Sequence, residues 1–182
     1  GLRAALLARG FTDSDMLAAG VIGKSNRDGS LFDYFRDRLM FPIENKQGQV
    51  IAFGARAFGD AKPKYLNSVE GPTFSKKNIL YGLVQAREGL RRKLPLVVGE
   101  GYMDVIAIQR SGTASAVAPL GTALTQEQIA LMWKLHDEPI LCFDGDAAGQ
   151  RAQMRALERI LPLLTPGKSA RLAVMPEGKD PD

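Results

Sequence analysis

The chain has 182 residues, 45% of them hydrophobic and 24% charged, with a net charge of +4 and a single cysteine. That length allows one domain with a sizeable core or two small lobes, and one cysteine excludes an internal disulfide and a cysteine zinc site within the chain. No run approaches the ~18 apolar residues of a membrane span, and the opening residues are too short and interrupted a stretch for a signal peptide, so a reducing, cytoplasmic setting is expected.

In chain order, Leu2 to Ala8 reads as a helix ended by Gly10. Thr12 can cap a second short helix with Asp13 and Asp15 in its first turn. Residues 39–43 and 50–54 are apolar runs around a polar turn with Gly48, which signals a hairpin. Lys64 to Ser68 reads as a further strand and Leu83 to Arg92 as a helix. From Leu96 the pattern becomes a regular alternation. Strands at 96–99, 114–118, 140–143 and 170–175 are separated by helices at 103–110, 125–135 and 147–161. Such alternation predicts a mainly parallel four-stranded sheet with helices on both faces, an α/β fold preceded by a smaller α+β lobe. The boundary is expected between residues 94 and 95. The chain opens inside a helix and stops on Asp182 with no closing element, so it reads as a fragment.

Charge follows the same division: residues 54–94 carry a net +6 and residues 95–182 a net −3. Such a block pattern suggests a polyanion-binding surface beside a cation site, or simply an uneven solvated surface. Glu100 follows the first strand of the alternating unit, Asp144 and Asp146 the third, and Asp180 and Asp182 the fourth. In an open parallel sheet that edge is where ligands bind. Clustered carboxylates stay ionised beside a cation, and an all-oxygen set favours Mg²⁺, or Mn²⁺ in its place, over zinc. Two such ions suit phosphoryl or nucleotidyl transfer. The alternative for Asp144-Gly145-Asp146 is a strand-to-helix turn with Asp146 as N-cap. His136 reads as a surface residue, Cys142 as core, and Trp133 as packing.

Gly99-Glu100-Gly101-Tyr102-Met103-Asp104-Val105, Phe143-Asp144-Gly145-Asp146-Ala147-Ala148-Gly149 and Glu177-Gly178-Lys179-Asp180-Pro181-Asp182 resemble the motifs of the TOPRIM domain. That domain is shared by DnaG-type primases, type IA and type II topoisomerases, and some nucleases. Leu120-Gly121-Thr122, Arg38 to Ile43, Val50 to Arg56, Pro63 to Ser68 and Leu80 to Leu83 resemble the primase branch in particular. The chain departs from the family's pattern at Gly99, where an apolar residue is commoner.

The resemblance implies residues 1–94 as part of the amino-terminal lobe of a primase polymerase core and residues 95–182 as the catalytic TOPRIM domain. It implies Glu100, Asp144 and Asp146 as catalytic residues, and Glu100, Asp144, Asp146, Asp180 and Asp182 as magnesium ligands. Arg56, Lys64, Tyr65 and Lys76 would contact nucleotide or template, and Asp104 would act locally, on the Glu100 loop. The implied reaction is RNA primer synthesis from ribonucleoside triphosphates on single-stranded DNA, passing through an RNA–DNA hybrid. The implied setting is a cytoplasmic, nucleoid-associated replication fork, with the protein a monomer that contacts no membrane. Zinc and the replicative helicase would bind domains outside these residues. Three other functions remain: TOPRIM strand cleavage, a haloacid-dehalogenase-like phosphatase, and a non-catalytic single-strand-binding module. The upstream lobe counts against the first. The position of Asp144 after the third strand rather than the first counts against the second. The carboxylates count against the third, because unneutralised acids weaken DNA binding.

Overall fold

Helices begin where the sequence supplies caps. Thr12 accepts a hydrogen bond from Asp15 N while the Asp15 carboxylate accepts from Thr12 N at 2.9 Å, and this capping box starts α2 (Asp13–Ala18). The preceding α1 (Leu2–Leu7) has no side-chain cap of its own. Its first amides instead donate to Asp33, from Leu2 N at 2.7 Å and Arg3 N at 2.8 Å, which places an acid at the positive helix end. The computed structural model describes residues 1–121 and 123–181. By contacts they form two units, residues 1–43 with 49–75 and residues 44–48 with 76–182.

In the first unit β1 (Ile22–Lys24) and β2 (Leu31–Asp33) pair antiparallel. This ribbon is absent from the sequence-based expectation, since three-residue strands are too short to show an alternation. The expected hairpin forms as β3 (Arg38–Glu44) and β4 (Val50–Ala57), and β5 (Tyr65–Asn67) completes a three-stranded sheet in the order β3-β4-β5.

The second unit runs through a 3-10 turn (Lys76–Asn78), β6 (Leu80–Tyr81), α3 (Leu83–Arg91), β7 (Leu96–Val98), α4 (Tyr102–Ser111), β8 (Ser115–Pro119), α5 (Gln126–Leu135), β9 (Ile140–Cys142), α6 (Ala147–Ile160), a second 3-10 turn (Leu161–Leu163) and β10 (Arg171–Ala173). The sheet order is β10-β9-β7-β8-β6. The four expected strands pair in parallel, and β6 adds a fifth, antiparallel to β8. Two residues upstream of the alternating region gave no strand signal of their own.

β8 is buried at all five positions, which requires cover on both faces. Val117, Leu96, Val98 and Leu141 share one cluster with Leu83 and Ala86 of α3, Ile129 and Met132 of α5, and Ala156 and Ile160 of α6. Ala116 and Ala118 meet Val105 of α4 on the opposite face. Each fully buried leucine or valine contributes about 1.5–3 kcal/mol. Cys142 is buried, as expected of a core residue. Trp133 donates its indole N–H to Ser169 O at 2.9 Å, and His136 Nδ1 accepts from Glu138 N at 3.0 Å.

One contact between α3 and β8 is tight. A Cβ at Gly89 would fall 2.2 Å from Ser115 Oγ, a buried hydroxyl with no hydrogen-bond partner among the described residues. Gly89→Ala is therefore expected to destabilise by about 1–3 kcal/mol. Ser115→Ala should leave stability unchanged or raise it by about 1 kcal/mol, because it removes an uncompensated polar atom. The double variant should regain most of the loss, as read by urea unfolding midpoints.

Candidate functional site

The acids sit where the chain leaves the parallel strands. At the end of β7, Gly99 N donates to Val117 O at 2.9 Å, which holds the strand edge flat against β8. A Cβ on Gly99 would fall 2.8 Å from Asp104 Cβ, so glycine here makes room for that aspartate. Asp104, 8% exposed, accepts from Glu100 N at 2.7 Å and from Gly101 N at 3.0 Å. It caps α4 and fixes the backbone that carries Glu100, a local role of the kind expected for it.

Glu100 Oε1 accepts from Asp144 N at 2.9 Å, joining the ends of β7 and β9. Two residues on, Asp146 starts α6: its Oδ1 accepts from Ala148 N at 2.8 Å and from Gly149 N at 2.7 Å. The turn alternative for Asp146 is thus realised, and it leaves the second carboxylate oxygen to other partners. After β10 the chain folds back, with Lys179 N donating to Pro176 O and Gly145 N donating to Lys179 O at 2.9 Å. That loop delivers Asp180 close enough to raise the Asp144 pKa. Asp182, and Thr122 of the Leu120-Gly121-Thr122 motif, lie outside the described residues.

Burial first, and mutual repulsion second, show in the titration of the group. Burial pushes the Asp144 carboxyl up to about 6, and the charges of Glu100, Asp104, Asp180 and Asp146 add to it. Burial also raises Glu100, opposed by the Asp144 N–H and reinforced by Asp104 and Asp146. Among the described residues, none of Glu100, Asp144, Asp146 and Asp180 has a lysine or arginine ion-pair partner. No three acidic, histidine or cysteine side chains among those residues already close around a point that could hold an ion. The donors themselves are hard oxygens, which fits a divalent cation.

A raised pKa has a consequence for stability without metal. The Asp144 contribution is fully present below its ordinary value of 3.8 and is lost as pH rises through about 6. In chelator, wild type should therefore lose stability relative to Asp144→Asn as pH rises from about 4 to 6, with the difference levelling above that window. Urea midpoints across this range would read it.

Three of the four expected nucleotide-binding residues share a site in the first unit. Arg56 on β4 lies in register with Tyr65 on β5. Its guanidinium carbon is 6.0 Å from the Tyr65 ring centre, and Lys64 Nζ is 5.9 Å from the same centre. Tyr65 is 40% exposed, so cations and ring together offer a surface for phosphate and base. Lys76 belongs to the second unit, in the 3-10 turn before β6.

Residues 1–87 match the family described as the DNA primase catalytic core, N-terminal domain, and residues 95–172 match the Toprim domain. A DNA primase of Pseudomonas aeruginosa is 50% identical over 167 residues, which is 92% of this chain and 25% of that protein. The crystal structure of a DNA primase domain from Pseudomonas aeruginosa is similar with a TM-score of 0.88 and 48% identity, covering 97% of this chain and 56% of that one. The structure of a DnaG primase catalytic domain bound to single-stranded DNA has a TM-score of 0.84 and 42% identity, with the same shares covered. The chain thus spans about a quarter of the length of the curated relative it matches. Two adjoining family matches, 50% identity to a primase and a shared fold from end to end together show that the chain belongs to the DnaG-type primases, carrying the amino-terminal part of their catalytic core and a Toprim domain.

Proposed function

We propose that this chain forms the catalytic centre of a primase that joins ribonucleoside triphosphates on a single-stranded DNA template, releasing pyrophosphate. The observation that carries this reading is the approach of Glu100, Asp144 and Asp180 from three separate strand ends, in a chain whose residues 1–87 match the primase catalytic core and whose residues 95–172 match the Toprim domain. The DNA-bound relative supports a nucleic-acid template as partner.

Toprim primases use divalent metal, and we assign it here as Mg²⁺, with Mn²⁺ able to replace it. Glu100, Asp144, Asp146, Asp180 and Asp182 would hold it. When bound, it supplies charge neutralisation for the triphosphate and lowers the pKa of the attacking 3′ hydroxyl. The chain's own work is positioning. Asp104 fixes the Glu100 backbone, Glu100 receives the Asp144 amide, and Asp146 is oriented by the start of α6. Glu100 and Asp144 must be ionised to act, so metal affinity should fall as pH drops below about 6. Arg56, Lys64, Tyr65 and Lys76 are assigned to the triphosphate and the template strand. Residues 1–94 are assigned to nucleotide and template binding and residues 95–182 to catalysis. The wider assignment is a monomer at the replication fork that meets the RNA–DNA hybrid, and a helicase through a further domain. No helix among the described residues is long and apolar enough to cross a membrane.

The test is incorporation of labelled ribonucleotide on single-stranded DNA with Mg²⁺. Short RNA supports the proposal. Template cleavage in its place would move the chain to the strand-cleaving Toprim enzymes, and neither product would remove catalysis from the reading.

A further inference from the structure

Gln128 is 2% exposed, yet it is polar and sits in the first turn of α5. Its Oε1 accepts from Thr125 N at 3.0 Å, which completes the capping box of that helix. Capping uses only the oxygen. The amide nitrogen points elsewhere, donating to Lys76 O at 2.9 Å and to Ile79 O at 3.0 Å. Beside it, Thr125 Oγ1 donates to Lys77 O at 2.7 Å. Gln128 and Thr125, the N-cap of α5, therefore hold three backbone carbonyls of the 76–79 segment, which contains two lysines.

Topology says which edge of the sheet this segment occupies. β6 runs antiparallel to β8, with Leu80 opposite Pro119, the last residue of β8. The 3-10 turn just before Leu80 thus lies at the carboxyl-terminal edge of the parallel strands. Glu100 and Asp144 leave β7 and β9 at that same edge. The clamp from α5 sets a lysine-bearing turn along the edge that carries the carboxylates.

We infer that Gln128 is a positioning residue for triphosphate binding: it fixes the backbone of the 76–79 turn and thereby presents Lys76 and Lys77 to the anionic substrate. The inference rests on the function proposed above. A glutamine that served only as a helix cap would need no donor, whereas both N–H groups of this amide are directed at the lysine turn.

In the native full-length protein, Gln128→Met should raise KM for ribonucleoside triphosphate roughly fivefold to tenfold, because the turn loses two buried hydrogen bonds. kcat should stay within about twofold, and Mn²⁺ binding to the carboxylates should not move. Combined with Lys76→Ala, Gln128→Met should add no further rise, since both changes disable one contact. Should Gln128→Met fold poorly, Thr125→Val, which removes the bond to Lys77 O, carries the same test with a smaller rise. An unchanged KM in an active enzyme, or effects that multiply in the double variant, would overturn the assignment of Gln128. A wild type that makes no RNA would instead remove the functional reading on which it rests.

Discussion

Glu100→Gln and Asp144→Asn are each expected to lower Mg²⁺-dependent primer synthesis by roughly a thousandfold or more. Neither should unfold the protein. The amide oxygen of a glutamine at 100 can still accept from Asp144 N, the bond that Glu100 Oε1 now receives at 2.9 Å. Asparagine at 144 removes a charge that burial and four neighbouring acids already disfavour. Loss of activity with an unchanged or raised urea midpoint is therefore the signature of charge needed for cation binding. Activity within about tenfold of wild type in both variants would deny these carboxylates a part in the chemistry. Template cleavage lost in both, with no RNA made by wild type, would keep the site and change the reaction.

Gly149→Ala should be among the most damaging single methyl groups in the second unit. A Cβ there would fall 2.1 Å from Asp144 O and 2.8 Å from Asp144 C and N. These are backbone atoms and cannot swing aside as a side chain end can. Alanine gains up to about 1 kcal/mol of helix propensity over glycine. Overpacking costs about 1–3 kcal/mol and more where, as here, the neighbour is backbone that cannot yield, so the clash wins. Either α6 or Asp144 must move, and both outcomes displace a carboxylate. The expected result is a large drop in the urea midpoint together with loss of primer synthesis. Gly101→Ala is the control: nothing lies within 4 Å of its Cβ position, its φ is −149°, and its effect should stay within about 0.5 kcal/mol. Equal stability of the two variants would mean the α6 start is looser than its hydrogen bonds indicate.

The features legible in the sequence were those written in local chemistry. Thr12 announced its helix and acts as its cap. The alternation from Leu96 onward announced parallel strands, since strands buried on both faces need continuous apolar runs. Chain order then placed Glu100 and Asp144 at one edge without any distance being known. Features that depend on remote partners were hidden. β6 is two residues long and becomes a strand only because β8 offers it an edge. Asp180 reaches Asp144 through the hydrogen bond from Gly145 N to Lys179 O. The use of the Gln128 amide was not readable, because its acceptors lie 52 and 49 residues away. Asp146 shows that two readings of one residue need not compete, since capping α6 occupies one oxygen of its carboxylate.

The fifth strand also limits how this protein could be taken apart. The Toprim match begins at residue 95, after β6 and α3. A piece cut there would leave β8 with a bare edge and strip Leu80, Leu83 and Ala86 from the shared core. The domain is therefore no free-standing cassette: transplanting it into another protein means carrying residues 76–94 along, or finding a host that lends a strand and a helix in their place.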